Sequence, residues 1–156
     1  IPILSLCDTP GFMVGPASEE QGAVNRMSAL FIAGAQLSTA LVTIFLRKGY
    51  GLGAMAMAGG SFHRPQCSMA WPSGEFGAMG LEGAVQLGFK KELAAAKDEV
   101  SRKALFNELL DLMYEKGRAT EAAAHLEIDG VIDPASTRAI IMKAFRSHGA
   151  FRAQGA

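Results

Sequence analysis

The sequence predicts an α/β fold, because short strand-like segments alternate with longer helical ones. Segment 3–7, ILSLC, is short and apolar, and segment 41–46, LVTIFL, is a continuous, partly β-branched apolar run. Between them, apolar residues recur at the spacing of one helix face: Val24, Met27, Leu30, Phe31, Gly34 and Leu37. The first 46 residues therefore predict a strand–helix–strand unit.

The first helix is predicted to begin at Ser18. Ser18 and Gln21 have the spacing of a capping box, in which each side chain accepts from a backbone N–H of the first turn. Glu19 and Glu20 would lie at the positive end of the helix dipole, which favours acidic residues.

The rest of the chain continues the alternation. The predicted elements are a strand at 67–71, a loop at 71–80, a helix at 81–93, a long helix within 96–119 and, within 127–149, a short strand and a helix. The long helix carries Phe106, Leu109, Leu110 and Met113 on one face and is predicted to stop at Gly117. The last helix is predicted to have Asp133 as its N-cap and Pro134 at its first position.

Composition limits the classes of function. The 156 residues suit one domain, 1–156, and 49% of them are hydrophobic, which is enough for a core. The 15 basic and 15 acidic residues balance, which argues against a nucleic-acid partner or a polybasic membrane contact. No apolar run approaches the ~20 residues that span a bilayer. Cys7 and Cys67 form no disulfide framework and indicate reduced thiols in a cytoplasmic protein.

Both ends of the chain carry an expectation. The sequence opens on IPILSL, inside the first predicted strand, so we expect it to be part of a longer polypeptide. Residues 151–156 are expected to fray, as terminal residues usually do.

Segment 47–60, RKGYGLGAMAMAGG, is rich in glycine and has hardly a polar side chain after Lys48. A Walker A phosphate loop is excluded, because that motif ends in Gly-Lys-Ser/Thr and here Lys48 precedes the glycines. Gly51, Gly53 and Ala56 match the G-x-G-x-x-A spacing of a dinucleotide turn, but the acid about 20 residues on, Glu75, falls in a predicted loop. Close packing of a helix on a sheet is a second explanation for the glycines.

An oxyanion site is a third explanation. Where a strand turns into a helix, the first backbone N–H groups have no partner within the helix and lie at the positive end of its dipole. Small residues let a substrate oxygen approach those N–H groups, and each donor stabilises developing negative charge by about 3 to 4 kcal/mol. Such a site needs no titratable side chain, as the composition between Gly51 and Gly60 suggests.

Four segments together resemble a known family. DTPGF (8–12), RKGYGLGAMAM (47–57), WPSGEFGAMGLEGAV (71–85) and EIDGVIDPASTRAII (127–141) are similar, in that order, to the C-terminal half of the carboxyltransferase β subunit of biotin-dependent acyl-CoA carboxylases, which include propionyl-CoA and acetyl-CoA carboxylases. The resemblance covers residues 3 to 147.

The resemblance implies a crotonase-like, ClpP-like fold of βαβ units, with this chain as the carboxybiotin-side half of a duplicated subunit. It implies transfer of a carboxyl group from carboxybiotin to the α-carbon of an acyl-CoA, without a metal in this domain. The implied partners are the N-terminal carboxyltransferase half, a biotin carboxylase, a biotin carrier domain that holds the carboxybiotin, and further copies in a homo-oligomer, a dimer or a trimer of dimers. Alone, the chain is expected to be inactive.

Site residues follow by position from the same resemblance. The backbone N–H groups of Leu52 and Gly53 would form the oxyanion hole for biotin. The implied substrate- or biotin-binding positions are Gly51, Ala54, Met55 and Gly80. Acidic and apolar residues both occur at position 55 among carboxylases of different specificity, so Met55 leaves the acyl chain open.

Other candidates carry alternatives from the residues themselves. Arg47 and Lys48 could contact a CoA phosphate or the biotin carboxyl group, or be solvated or salt-bridged. Glu75 and Glu82 could act as general acid and base, or serve as capping and surface charges.

The remaining polar and aromatic candidates are weaker. The histidines, His63, His125 and His148, lack the spacing of metal ligands, and neither cysteine has a histidine placed to activate it. Trp71, beside Pro72, could stack on a ring or anchor the core.

Two other functions remain open at this point. One is a crotonase-class hydratase or isomerase that needs only an acyl-CoA, and the other is a non-catalytic assembly module. Dependence on biotin separates carboxyl transfer from the first, and any turnover separates both enzymes from the second.

Overall fold

Strands β1 (Ile3–Thr9) and β2 (Leu41–Tyr50) are parallel neighbours, with helices α1 (Pro16–Glu20) and α2 (Ala23–Gln36) between them in the chain. This confirms the predicted strand–helix–strand unit. The structure, a computed structural model, describes residues 1–147.

The remaining elements follow in chain order. They are α3 (Gly51–Met57), β3 (Cys67–Ala70), β4 (Glu75–Gly77), α4 (Leu81–Gly88), α5 (Lys90–Ala94), α6 (Glu99–Lys116), α7 (Ala119–Ala124), β5 (Gly130–Val131), a 3₁₀ turn (Pro134–Ser136) and α8 (Thr137–Ser147).

Over the described residues the sheet has the order β1-β2-β3-β5, and every strand pair in it is parallel. The short strand β4 pairs with the end of β2, with Lys48 opposite Glu75 and Tyr50 opposite Gly77. The long strand β2 therefore carries three neighbours, β1, β3 and β4, and its carboxyl end lies among them.

Each face of the sheet packs into its own apolar cluster, which explains the continuous apolar run in β2. On one face Cys7, Phe45 and Ala70 pack with residues of α3 and α7. On the other, Val42 and Ile44 pack with Phe145 of α8. A strand covered on both faces needs apolar residues at successive positions rather than at alternate ones.

The predicted capping box at Ser18 is wrong. Helix α1 begins at Pro16 after Gly15, has no side-chain cap, and already contains Ser18. Gly22, with a left-handed φ of 71°, then separates α1 from α2. Proline fits the first helical position because it needs no N–H partner there, and it starts the helix earlier than the Ser–Gln pair suggests.

The predicted loop 71–80 is also wrong in part, because Glu75–Gly77 form β4. Strand β2 extends to Tyr50, beyond the predicted end at 46, and its last residues pair with this segment. Three residues are too few for a hydrophobic pattern, so the strand is visible only from its partner.

The second half of the chain differs from the predicted helices at several places. The predicted helix 81–93 divides at Phe89 into α4 and α5, and the short helix α7 after Gly117 was not expected.

Helix α6 ends at Gly117 as predicted, and its apolar residues Phe106, Leu109, Leu110 and Met113 are half-buried. The Asp133 carboxylate accepts from the Ala135 N–H at 2.8 Å and caps the 3₁₀ turn Pro134–Ser136. Because α8 begins only at Thr137, the predicted cap and proline belong to the turn that leads into the helix and not to the helix itself.

Residues 1–147 contain no helix that is both long and apolar enough to cross a membrane. The expected fraying of 151–156, and His148, lie outside the described residues.

Candidate functional site

The junction between β2 and α3 is the centre of the candidate site. Tyr50 ends the strand in an extended conformation, Gly51 follows with a φ of 57°, and α3 begins at once. Tyr50 gives no side-chain cap, so the first N–H groups of α3 have no partner from that residue. The strand-to-helix turn that the oxyanion explanation of the glycine segment requires is therefore present.

Gly51 is required by both conformation and space. Its φ lies in the left-handed region, which disfavours L side chains. A Cβ built on Gly51 would also lie 2.7 Å from the carbonyl oxygen of Ala78, just before α4. The absence of a side chain therefore lets the β2–α3 junction contact the segment between β4 and α4.

Gly53 allows a second close approach, to the DTPGF segment. A Cβ on Gly53 would lie 2.9 Å from the Cα of Gly11, which has a φ of 101°. Gly53 and Ala54 are both buried, and Ala54, which is fully buried, packs in the apolar core and does not reach the surface. Leu52 between Gly51 and Gly53 is 61% exposed.

A cavity of about 330 Å³ opens beside the junction. Gly51 and Met55 line it, together with Phe62 and Phe76, whose rings stack edge to face with centroids 5.8 Å apart. Charged and polar groups at the same cavity are Lys116, Glu121, His125 and Glu127. The structure thus brings the predicted positions 51 and 55 into one cavity that is apolar in part and polar in part.

Gly80 follows Ala78 by two residues in the chain and is the N-cap residue of α4. Nothing lies within 4 Å of a Cβ built there, so Gly80 is not required for close packing as Gly51 and Gly53 are.

Arg47 and Lys48 are both tied to Asp8 of the DTPGF segment. The Arg47 guanidinium makes a salt bridge with Asp8 at 3.1 Å, and the Lys48 backbone N–H donates to the same carboxylate at 3.0 Å. That N–H, followed by the Arg47 guanidinium, holds the pKa of Asp8 below its usual value. For Arg47 this favours the salt-bridge alternative, although its side chain is 60% exposed.

Glu75 and Glu82 are each bonded to a tyrosine. The Tyr50 phenol donates to Glu75 at 2.6 Å, and the Tyr114 phenol donates to Glu82 at 3.1 Å. These bonds favour structural roles over an acid–base pair. Glu75 is the first residue of β4 and not its last, and its carboxylate accepts from Tyr50, so it does not fit the ribose-binding acid at a strand end that the dinucleotide-turn alternative requires.

The cysteines are free and buried, as expected of reduced thiols. Burial, and then the neighbouring Asp8, raise the pKa of Cys7 to about 11, and burial followed by Asp129 raises the pKa of Cys67. Both thiols are therefore protonated at neutral pH and are poor nucleophiles.

The remaining candidates are the histidines, as metal ligands, and Trp71. Within residues 1–147 no three His, Cys, Asp or Glu side chains group as metal ligands do. Trp71 packs against the cluster under α8, and its indole N–H donates to Thr137 at 2.9 Å, which supports the core-anchor interpretation.

Sequence reasoning missed the Tyr50–Glu75 bond and the charged wall of the cavity. Glu121 belongs to α7, and His125 and Glu127 lie within three residues of its end. The sequence analysis did not predict this helix. A tyrosine at a strand end and an acid about 25 residues later give no local signal, because their contact depends on β4 pairing with β2.

Comparisons with known proteins identify the family of this fold. Residues 1–150 match the model of the carboxyl transferase domain. The propionyl-CoA carboxylase beta chain of Saccharopolyspora erythraea is 33% identical over 151 residues, which is 94% of this chain and 27% of that protein. The biotin-dependent acetyl-/propionyl-coenzyme A carboxylase beta5 subunit of Mycobacterium leprae is 34% identical over 149 residues, 92% of this chain and 26% of that protein.

Solved structures give the same result. A single-chain, multi-domain long-chain acyl-CoA carboxylase has a TM-score of 0.80 and 53% identity, over 92% of this chain and 14% of that one. The transcarboxylase 12S subunit, with methylmalonyl-coenzyme A and methylmalonic acid bound, has a TM-score of 0.85 and 32% identity, over 100% of this chain and 29% of that one.

This chain thus spans less than a third of each of these proteins. The likenesses confirm the predicted α/β fold as the crotonase-like fold of carboxyltransferase domains. With the family model matched over nearly its whole length, the chain belongs to the carboxyl transferase domain family.

Proposed function

We propose that this chain is the carboxybiotin-side, C-terminal half of an acyl-CoA carboxyltransferase. The observation that carries the proposal is the β2–α3 junction, where Gly51 and Gly53 leave the backbone bare and Tyr50 supplies no cap. Carboxyl transfer needs a site that stabilises negative charge on an oxygen, and uncapped N–H groups at the start of a helix can provide such a site.

The Leu52 and Gly53 N–H groups are the proposed donors. They lie in the first turn of α3, where N–H groups have no partner within the helix and the dipole adds positive potential. Bound biotin would bring the carboxyl group and place the developing negative charge on its ureido oxygen. Gly51 and Ala78 line the cavity beside these donors, and Arg47 and Lys48 lie shortly before them in β2.

For the acyl chain we propose an apolar group that reaches the cavity beside Met55. The support is chemical: Met55, Phe62 and Phe76 give that cavity an apolar wall. The 53% identical relative is named as a long-chain acyl-CoA carboxylase, which points in the same direction. An acidic residue at position 55 would place a charge against the chain and disfavour it.

The proposed partners are the other parts of such an enzyme. They are an N-terminal carboxyltransferase half, a biotin carboxylase with its biotin carrier domain, and further copies of the subunit in a homo-oligomer. The name of one solved relative describes a hexamer and a multienzyme core, and the free cysteines fit a cytoplasmic enzyme.

The experiment runs the reaction in reverse with the complete protein and with residues 1–156 alone. Each is incubated with free biotin and a series of carboxylated CoA esters, from malonyl-CoA to long-chain 2-carboxyacyl-CoA, and loss of the carboxyl group is followed. We expect biotin-dependent loss with the complete protein, fastest with the longer chains, and none with the fragment.

Each alternative predicts a different result. Turnover of an enoyl-CoA without biotin would support the hydratase or isomerase, and no turnover of any ester would support the assembly module. Biotin-dependent loss restricted to malonyl-CoA would keep the carboxyltransferase but contradict the assignment of the cavity to a long acyl chain.

A further inference from the structure

Tyr50 is held at its phenol as well as at its backbone. It is the last residue of β2, it is 2% exposed, and its phenol O–H donates to the Glu75 carboxylate at 2.6 Å. Burial, and then the bond to Glu75, raise the pKa of Tyr50, so the phenol stays a proton donor at neutral pH. The residue that precedes α3 is thus fixed at the far end of its side chain.

Glu75 in turn lies on a backbone held from two sides. Strand β4 pairs with β2 on one side, and Glu75 forms a backbone bridge with Arg118 on the other. The next residue, Phe76, donates its N–H to the Gly117 carbonyl at 2.6 Å. The backbone that carries the acceptor of the Tyr50 phenol is therefore held by its neighbours on both sides.

The orientation of Tyr50 decides how the chain enters α3. Rotation about Tyr50, with φ −101° and ψ 133°, and about Gly51 sets the planes of the peptide groups that begin the helix. Gly51 has no side chain to resist rotation, so the restraint has to come from its neighbours. A change of about 1 Å at a reacting centre can lower a rate a hundredfold.

We propose that Glu75 is a positioning residue for carboxyl transfer: through its hydrogen bond with Tyr50 it fixes the β2–α3 junction and so aims the Leu52 and Gly53 N–H groups. Glu75 touches no substrate in this role. The inference rests on the proposed function and adds to it a residue that the family resemblance did not supply.

A second tyrosine–carboxylate pair provides a matched control. Tyr114 of α6 donates to Glu82 of α4 at 3.1 Å, close enough to Tyr50 that Glu82 contributes to raising the pKa of Tyr50. It has the same chemistry in the same part of the molecule, but it joins two helices and not the β2–α3 junction. Loss of charge or of a tyrosine bond in general would affect both pairs.

The test measures kcat and KM for biotin-dependent loss of the ester carboxyl group, using the complete protein. The variants are Tyr50→Phe, Glu75→Ala, the double variant, Glu75→Gln and, as control, Glu82→Ala. Circular dichroism and thermal unfolding identify the folded ones. Tyr50→Phe and Glu75→Gln change little volume, so the test does not depend on Glu75→Ala folding.

We expect Tyr50→Phe and Glu75→Ala each to lower kcat by about tenfold or more, with KM for the ester changed less than about twofold. The double variant should be no slower than the slower single one, because both remove the same bond. Glu75→Gln should recover to within about threefold of wild type, since its amide oxygen still accepts from the phenol. Glu82→Ala should keep the wild-type kcat.

The inference is overturned if wild-type turnover is biotin-dependent and folded Tyr50→Phe retains its kcat. It is also overturned if the two losses multiply in the double variant, or if Glu82→Ala is as slow as Glu75→Ala. Absence of biotin-dependent turnover in the wild type would instead remove the proposed function, and this inference with it.

Discussion

Single residues show why glycine recurs at the candidate site. Gly51 is fixed by a left-handed φ and by the Ala78 carbonyl, and Gly53 by the backbone of Gly11. The packing interpretation of these glycines and the oxyanion interpretation are therefore compatible, because the contacts that exclude a Cβ also hold the N–H groups in place.

Gly51→Ala is predicted to destabilise the complete protein. The left-handed backbone conformation costs about 1–2 kcal/mol with a side chain present, and the clash at 2.7 Å with a backbone oxygen adds to it. Gly80→Ala is the control, because its φ is −53° and its Cβ would meet nothing within 4 Å. Thermal unfolding should show a lower Tm for Gly51→Ala alone; equal Tm values would contradict a steric and conformational requirement for glycine at position 51.

Cys7 is predicted to make stability depend on alkaline pH. Its folded pKa of about 11 lies above the ordinary 9.0, so the folded state keeps a proton that the unfolded chain loses. Its contribution is complete below pH 9 and decreases by about 1 kcal/mol per pH unit as the pH rises toward 11. Denaturant titrations at pH 8 to 11 should show a flatter decline for Cys7→Ala; parallel declines would argue against the raised pKa.

At the scale of elements, the sequence predicted what has a long pattern and missed what depends on a partner. The apolar run of β2 and the cap at Asp133 are local signals, and both are found. The apolar face predicted for α6 is found only in part, because none of its residues is buried. Strand β4 is three residues long and forms because the end of β2 needs a neighbour. The Tyr50–Glu75 bond follows from that pairing, so the sequence alone could not indicate it.

Asp133→Ala is predicted to weaken the 3₁₀ turn Pro134–Ser136, which leads directly into α8. The carboxylate accepts from the Ala135 N–H at 2.8 Å, and loss of an N-cap costs about 1 kcal/mol. Asp133→Asn is the control, because asparagine caps about as well as aspartate. The free energy of unfolding of the complete protein should fall for Asp133→Ala only. If the free energy of unfolding falls equally in both variants, the charge of Asp133 and not its capping hydrogen bond is responsible.

At the scale of the whole molecule, apolar side chains remain exposed on two of the described elements, β1 and α2. Leu4 and Leu6 of β1 and Leu30 and Ile32 of α2 are all more than 40% exposed. The predicted apolar face of α2 is thus only partly covered, with Gly34 its one buried residue. The proposed carboxyltransferase half and subunit copies are the partners that would bury such surface.

The central claim is that the backbone N–H groups at the start of α3 stabilise negative charge during carboxyl transfer. Leu52→Pro deletes one of them at a first-turn position that tolerates proline, whereas Leu52→Ala keeps the N–H and trims a side chain that is 61% exposed.

The most direct measurement is kcat for biotin-dependent loss of the ester carboxyl group in these two variants of the complete protein, each shown to be folded by circular dichroism. We expect a loss of about a hundredfold or more for Leu52→Pro and a rate within about twofold of wild type for Leu52→Ala. A folded Leu52→Pro protein with the wild-type kcat would contradict the central claim.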